Sequence, residues 1–209
     1  MAKRTYLLLL ITHFLPSVIL HGQAPTNLES LVRIADVFMD PTSMEPVDGP
    51  VVRRWESGEL RVVARLKDGR TDGPVKMYHG NGELSYEAAH LLGKPEGIEK
   101  TYFLAGSLFE ERTYRAGVYD GPFRKYYENK VLNYSGSYKE GLQDGPWLRY
   151  HENGSLNVRV DFQRGIQHGM TENLSAEGEI RSRGMMQEGA QCGKWIEELM
   201  SVTYPDCKF

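Results

Sequence analysis

The residues of this chain that could perform chemistry stand at positions that favour structural roles. The 6 histidines are scattered through 209 residues. His79 and His151 occupy equivalent positions of a repeating pattern where aromatic residues stand in other copies, which favours packing over catalysis. Glu110 and Glu111 are adjacent on an expected strand, so their carboxylates point to opposite faces and cannot share a proton. The sequence contains no phosphate-binding glycine loop and no serine nucleophile elbow. We therefore expect a protein that is not an enzyme, with no metal and no cofactor.

A row of aromatic residues is the surface feature with the clearest binding potential. Tyr78, Tyr102, Tyr126 and Tyr150 follow one another at intervals of 24 residues. Regularly spaced rings on a sheet can stack on sugars or pack on a protein partner. The alternative is a cross-strand ladder that stabilises the sheet by about 0.2–1 kcal/mol per pair. The ladder is the favoured interpretation, and the row is kept as a candidate binding site.

The elements that position this row form a repeat of 24 residues, a period typical of repeat architectures. Asn-Gly pairs predict a tight type I′ turn in several repeats. A second glycine, later in each repeat, is predicted to begin a longer loop. Each repeat is thus predicted to be strand, tight turn, strand and loop. Lys130 replaces the glycine of one tight turn, which predicts strain or a different turn there. The repeats start at Gly49, Gly73, Gly97, Gly121, Gly145, Gly169 and Gly193.

Strand alternation divides the side chains between two faces of the expected sheet. Trp147, Val158 and Phe162 fall on an apolar face, which we expect to be the core. The opposite face carries charged residues and the tyrosine row. About 13 strands at ~4.8 Å spacing predict an all-β fold, an elongated single-layer antiparallel sheet of tandem 24-residue β-hairpin repeats. An unbroken apolar row is also assigned to the core face: Leu60, Leu84, Leu108, Leu132, Leu156 and Ile180.

The chain divides into a leader, an irregular segment, the repeats and a tail. Residues 1–24 have a basic start, an apolar run of about 15 residues and small residues near Ala24, the layout of a cleaved signal peptide. A membrane anchor is the alternative, although a spanning helix needs about 20 residues. Residues 25–48 are a degenerate repeat or an N-terminal cap, with Leu31–Met39 a strand or a short helix capped by Asn27. Six to seven repeats fill residues 49–200, and residues 201–209 form a C-terminal tail.

Charge and cysteine content bear on the compartment and the partners. Removal of residues 1–24 changes the formal net charge from -3 to -5, because Lys3 and Arg4 are lost with no acidic residue. A chain of this charge has no basic field to attract nucleic acid. Export places Cys192 and Cys207 in an oxidising compartment, where a bridge between them contributes roughly 3 kcal/mol in the chain-entropy model. Two free thiols, or pairing with another chain, are the alternatives.

The segment from Tyr138 to Leu156, YKEGLQDGPWLRYHENGSL, resembles the variant MORN repeat (membrane occupation and recognition nexus). The resemblance extends over about residues 49–200, and the repeats starting at Gly97 and Gly169 fit it least well. Bacterial proteins built from this variant are often exported, and some carry an antitoxin-like family label. The resemblance implies a scaffold or interaction module without a catalytic domain, in a family that has been linked in part with membrane lipids.

Three functions follow as hypotheses. The first is a non-enzymatic scaffold that binds a protein partner in the periplasm, the cell envelope or outside the cell. The second is a membrane-surface lipid binder, although a net charge of -5 opposes broad attraction to anionic lipid. The third is a polysaccharide binder that uses the aromatic row. Polysaccharide cleavage would need two carboxylates about 5–10 Å apart, and the sequence nominates no such pair.

Overall fold

The computed structural model describes residues 24–208, so the predicted signal peptide lies outside the described residues except for Ala24. Within this range a short 3-10 turn, Leu28–Ser30, accompanies the strands. No helix among residues 24–208 has the length and apolar content that a bilayer crossing requires. The strands are β1 (Thr26–Asn27), β2 (Val32–Ile34), β3 (Val37–Met39), β4 (Gly49–Arg54), β5 (Leu60–Lys67), β6 (Arg70–Thr71), β7 (Gly73–Tyr78), β8 (Leu84–Leu91), β9 (Lys94–Tyr102), β10 (Leu108–Arg115), β11 (Val118–Tyr126), β12 (Leu132–Lys139), β13 (Leu142–Gln143), β14 (Gly145–Tyr150), β15 (Leu156–Gln163), β16 (Ile166–Leu174), β17 (Ile180–Gln187), β18 (Ala190–Glu197) and β19 (Met200–Thr203).

From β4 to β19 the strands form one antiparallel sheet in which neighbours in sequence are neighbours in space. The pairs β6–β7 and β13–β14 each act as one interrupted strand beside β5 and β12. The predicted all-β, elongated and mostly antiparallel sheet is confirmed. Because each hairpin pairs mainly with the adjacent hairpins, contacts between neighbouring repeats stabilise the array, rather than one central core.

The turns at the Asn-Gly positions are not the predicted two-residue type I′ turns. At the fifth repeat the Gly154 N–H donates to His151 O at 2.9 Å, and the His151 N–H donates to Ser155 O at 2.9 Å. These bonds define a three-residue loop with a bulge, in which only Gly154 needs a positive φ, here 87°. Asn153 instead uses its side chain, accepting the Ser155 N–H at 3.0 Å and donating to Ala176 O of the next repeat at 3.2 Å.

The two-residue type I′ turns lie at the other end of the hairpins, where a longer loop was predicted. Glu140 and Gly141 have φ values of 51° and 83° between the directly paired residues Lys139 and Leu142. The glycine that was predicted to begin a longer loop therefore completes a tight turn. The Asp144-Gly145 pair that follows this turn is a strand irregularity, where the Asp144 N–H donates to Ser137 O at 3.0 Å.

Lys130 adopts the glycine conformation of its turn rather than a different turn. Its φ is 66°, and its N–H donates to Tyr127 O at 2.9 Å as the glycines of other repeats do. A residue with a Cβ is strained in this region. We expect Lys130→Gly to raise the free energy of unfolding by about 0.5–1 kcal/mol, measured by urea denaturation. The reciprocal Gly154→Lys variant should lose stability, and equal stability of Lys130→Gly and the parent chain would contradict the assigned strain.

The N-terminal segment covers the first repeats. Residues 31–39 form the β2–β3 hairpin, and Asn27 caps only the 3-10 turn by accepting the Glu29 N–H at 3.1 Å. The side chains of this N-terminal cover, defined as residues 28–47, pack on a small core formed by four residues of β4, β5 and β7. The cover contributes Leu28, Leu31, Phe38 and Val47, and the core consists of Val51, Ala64, Leu66 and Val75.

The predicted C-terminal tail, residues 201–209, begins within strand β19 (Met200–Thr203). The described residues after this strand, 204–208, are called the C-terminal tail below, and they fold back on the last repeat. Cys192 and Cys207 form a disulfide with Cα atoms 5.1 Å apart. The Tyr204 N–H donates to Gly193 O at 2.8 Å, and the Tyr204 ring packs on Trp195 with centroids 6.1 Å apart. The disulfide therefore anchors the tail over the same face of the sheet that the N-terminal cover contacts at the other end.

Candidate interaction surfaces

Strand pairing gives the sheet two chemically different faces. The core face is the side that carries Val51, Trp147 and Trp195, all at least nine-tenths buried. The charged face is the side that carries Lys100, Glu111 and Arg124 and their equivalents along the sheet. The tyrosine row lies on the charged face, whereas the buried aromatic and ionic groups described next lie on the core face.

A chain of contacting aromatic rings runs along the core face in the central repeats. The ring of Trp147 stacks on Phe123 with centroids 5.4 Å apart and meets Tyr138 edge-on at 4.9 Å. Tyr138 in turn lies 5.1 Å from Tyr119. Apart from Trp147 these residues are half-buried, so they keep surface for a contact. The aromatic cluster consists of Tyr114, Tyr119, Phe123, Tyr138, Trp147 and Phe162.

The size of facing side chains is matched from one repeat to the next. A Cβ at Gly136 would overlap the ring of Trp147, and a Cβ at Gly184 would overlap the ring of Trp195. In the first repeats the same two positions hold an alanine and a valine. Glycine therefore occurs inside these strands because a large ring lies flat against the backbone.

An ionic network interrupts the core face beside the aromatic cluster. Glu99 and Glu110 are only 9% and 7% exposed. Arg112 lies between them, with Nε 3.4 Å from Glu99 Oε1 and Nη2 in contact with Glu110. Arg112 Nη1 also donates to the Tyr119 hydroxyl at 2.6 Å, which joins the network to the aromatic cluster. One guanidinium thus compensates two buried carboxylates.

Hydroxyl and imidazole groups extend the network toward the N-terminal cover. The Tyr86 hydroxyl donates to Glu99 Oε2 at 3.0 Å and lies 3.3 Å from His90 Nε2, while His90 Nδ1 is 2.7 Å from Thr71 Oγ1. Burial, together with the charge of Glu99, raises the pKa of Tyr86 well above its usual value. Burial lowers the pKa of His90, although Glu99 opposes this shift. At neutral pH the network therefore consists of a protonated phenol and a neutral imidazole around the ion pair.

No catalytic or binding motif in the sequence predicts this network, although the repeat pattern contains a signal for it. The position of Glu99 holds valine, phenylalanine, tryptophan or threonine in the other repeats, and the position of Arg112 holds alanine, glycine or valine. The two positions face each other on adjacent strands and hold uncharged residues in the other repeats. Opposite charges at both positions of one repeat indicate that the two side chains are buried as a pair. Comparison of equivalent positions, rather than a search for catalytic motifs, would have found them.

The charged face is covered by cross-strand ion pairs. Arg124 Nη1 lies 2.6 Å from Glu111, and Lys100 Nζ lies 3.8 Å from Glu87. Glu110 and Glu111 thus pair with arginines on opposite faces of the sheet, which matches the expectation that they do not share a proton. Exposed pairs of this kind contribute about 0–1 kcal/mol each. In the part of the chain that the structure describes, no group of three or more His, Cys, Asp or Glu residues has metal-binding geometry.

The apolar row that begins at Leu60 and ends at Ile180 was predicted to lie on the core face, and this prediction is wrong. Arg149 is opposite Val158 on the core face, but the next pair is Tyr150 with Leu156, because Asn157 is an extra residue at a β-bulge. A bulge shifts the alternation of side chains by one residue. The leucines therefore lie on the charged face, where they pack beside the tyrosines.

The structure places each residue of the tyrosine row in a direct cross-strand pair with a leucine. The four tyrosines are half-buried, and the Tyr102 hydroxyl donates to Glu87 Oε1 at 2.6 Å. Burial and this hydrogen bond raise the pKa of Tyr102. The arrangement favours the ladder interpretation, in which the rings stabilise the hairpins. The pairs are Tyr78–Leu84, Tyr102–Leu108, Tyr126–Leu132 and Tyr150–Leu156.

The sheet and its repeated turns define a tandem β-hairpin repeat protein. Residues 95–116, 119–140 and 143–164 match the family model described as the MORN repeat variant, so the chain carries at least these three consecutive repeats of that type. The repeat starting at Gly97 lies in the first matched segment, although it was expected to be among the weakest. MORN repeats are generally non-enzymatic modules that often bind membranes or proteins. No curated protein matches the chain.

Proposed function

We propose that this chain is a non-enzymatic repeat scaffold that binds a protein partner in the cell envelope or outside the cell. The open middle of the core face is the observation that supports this proposal. Between the N-terminal cover and the C-terminal tail, extensive contacts among the described elements join only neighbouring strands. The aromatic cluster and Arg112 present there are of the residue types enriched at the centres of protein interfaces.

Two cations beside the aromatic cluster allow the proposed surface to be tested. Lys125 and Arg149 lie on the core face, on either side of Tyr134 in adjacent strands. Lys125 Nζ is 4.7 Å from the centroid of the Phe109 ring, and Arg149 Nε is buried without a hydrogen-bond partner among the described residues. Charge reversal at both positions changes the surface of the core face while leaving the aromatic cluster in place.

The test is affinity capture of the tagged full chain after crosslinking in an envelope extract of its source. We expect one stoichiometric protein partner, and at least tenfold less of it with Lys125→Glu and Arg149→Glu combined. Recovery of only lipid or glycan, with no protein above background, would reject the scaffold and support one of the other two functions. Unchanged capture by the double variant would place the partner on another surface.

Substitution of the tyrosine row provides the matched control on the charged face. Tyr126→Ser combined with Tyr150→Ser removes two tyrosine–leucine pairs, so we expect the free energy of unfolding to fall by about 1–2 kcal/mol. Thermal melting should show this loss, while capture of the partner stays unchanged. Loss of capture with an unchanged melting temperature would instead identify the row as the binding site.

We infer that the chain is a bacterial protein that is exported from the cytoplasm. The layout of residues 1–24 supports it, and so does a disulfide between Cys192 and Cys207, since such bonds persist in oxidising compartments. Cell fractionation followed by mass spectrometry of the N-terminal peptide tests this inference. We expect the peptide to begin near residue 25 in the envelope or outside the cell, and an intact N-terminus confined to the cytoplasm would reject it.

A further inference from the structure

The last hairpin departs from the pattern of the preceding repeats. Its turn, Glu198–Leu199, is a two-residue turn with φ values of 47° and 69°. The equivalent second residue is glycine in the other two-residue turns between β5 and β18. Leu199 is therefore strained, and its side chain is 90% exposed beside Met200, which is 66% exposed. Backbone strain and exposed apolar side chains are both concentrated at functional surfaces of proteins.

Within residues 24–208, β19 pairs only with β18, so no described strand covers its outer edge. Glu197 and Met200 flank the two-residue turn and therefore form a hydrogen-bonded pair. Hydrogen-bonded and non-hydrogen-bonded pairs alternate along the two strands from this pair. The N–H and C=O groups of Ser201 and Thr203 therefore point away from β18, toward the outer edge. The strand Met-Ser-Val-Thr contains no proline and no charged residue, which are the devices that protect exposed edges.

The opposite end of the sheet is protected. There β1 pairs with β4 in parallel, covering Val51 and Val52. Pro50 in β4 has no N–H to donate, and Arg53 forms an ion pair with Glu29 at 2.9 Å. With one edge open and the other blocked, association through edges closes at two copies instead of growing into a filament.

We propose that the chain forms a two-fold symmetric homodimer through antiparallel pairing of β19 with β19 of a second copy. The outward N–H and C=O groups of both residues are used when Ser201 of each copy pairs with Thr203 of the other copy. This register gives four backbone hydrogen bonds. The two-fold axis then passes between the Val202 residues of the two copies, which meet as a non-hydrogen-bonded pair. In such pairs the Cα atoms are about 4.5 Å apart and the side chains are in contact.

The second copy would also close a groove that the single chain leaves open. A cavity of about 730 Å³ lies on the core face and is bordered on the outer side by Met200 and Val202, with Trp195 among its other lining residues. Pairing places Met200 beside Tyr204 of the second copy, so the exposed methionine gains an aromatic neighbour. Because the paired strand is short, we expect a weak dimer that forms at high protein concentration.

Sedimentation velocity of the full chain over a range of concentrations tests the proposal. We expect a shift from monomer to dimer in the parent chain, and at least tenfold weaker self-association in Val202→Lys and in Val202→Glu. An equimolar mixture of the two variants should restore the dimer, because each lysine then faces a glutamate across the axis. A parent chain that stays monomeric at all concentrations, or folded variants whose mixture does not associate, would overturn it.

Disulfide trapping provides a second measurement that does not depend on charged substitutions. Val202→Cys should crosslink to itself on mild oxidation, since a spacing of about 4.5 Å between Cα atoms lies within the range for disulfides. The matched control is Ser201→Cys, whose partner across the interface is Thr203 and not another cysteine. We expect at least tenfold more crosslinked dimer from Val202→Cys, and equal yields would reject the register.

Discussion

Replacement of Arg112 by leucine is expected to lower the free energy of unfolding by about 3 kcal/mol at pH 8. The substitution leaves Glu99 and Glu110 on the core face, where each is less than one-tenth exposed, without their shared positive charge. It also removes a hydrogen bond to the Tyr119 hydroxyl. Urea denaturation followed by circular dichroism measures the loss.

The control for this prediction is Arg124→Leu on the next strand. Arg124 pairs with Glu111 on the charged face, and its side chain is 48% exposed, compared with 27% for Arg112. Removal of an exposed pair costs about 0–1 kcal/mol, so this variant should remain close to the parent chain. Equal losses in the two variants would show that the buried network contributes no more than a surface pair.

Gly136→Ala is expected to lower the free energy of unfolding by about 2–3 kcal/mol, although alanine is normally tolerated in strands. The φ of Gly136 is not positive, so backbone strain is not the cause. The added Cβ overlaps the ring of Trp147, which is buried and in contact with other rings of the aromatic cluster. The ring must therefore move, which disrupts its packing against Phe123 and Tyr138. Chemical denaturation and the near-UV circular dichroism of tryptophan both report this change.

A double variant tests whether the tryptophan ring causes the loss. Gly136→Ala combined with Trp147→Val reproduces the combination of Ala64 and Val75 that the chain itself uses at the same positions of earlier repeats. We expect the double variant to be more stable than the sum of the two single losses by at least about 1 kcal/mol. Strict additivity would mean that the alanine acts through something other than the ring.

The tyrosine row and the ionic network show how far sequence reasoning could reach at the candidate surfaces. The period alone aligned Tyr78, Tyr102 and their equivalents on one face, because strand alternation is regular up to the bulge. It misplaced Leu156 and its equivalents, because one extra residue at a bulge reverses the alternation and leaves no mark in the spacing of the apolar residues. The network around Arg112 needed a comparison between repeats, since Glu99 and Arg112 stand out only against the uncharged residues at the equivalent positions of the other repeats.

The 24-residue period, the all-β class and the antiparallel order of the hairpins were determined by the sequence, since glycine spacing and apolar alternation act locally and recur in every repeat. The tertiary structure decided which turn is the shorter, because Asn153 contacts the next repeat through its side chain rather than through a special backbone conformation. It also decided which ends of the sheet are covered. Coverage depends on contacts between segments with no shared periodicity, such as Phe38 against the small core of β4, β5 and β7 and Tyr204 against Trp195. Among residues 24–208, the middle of the core face and the outer edge of β19 have no such cover.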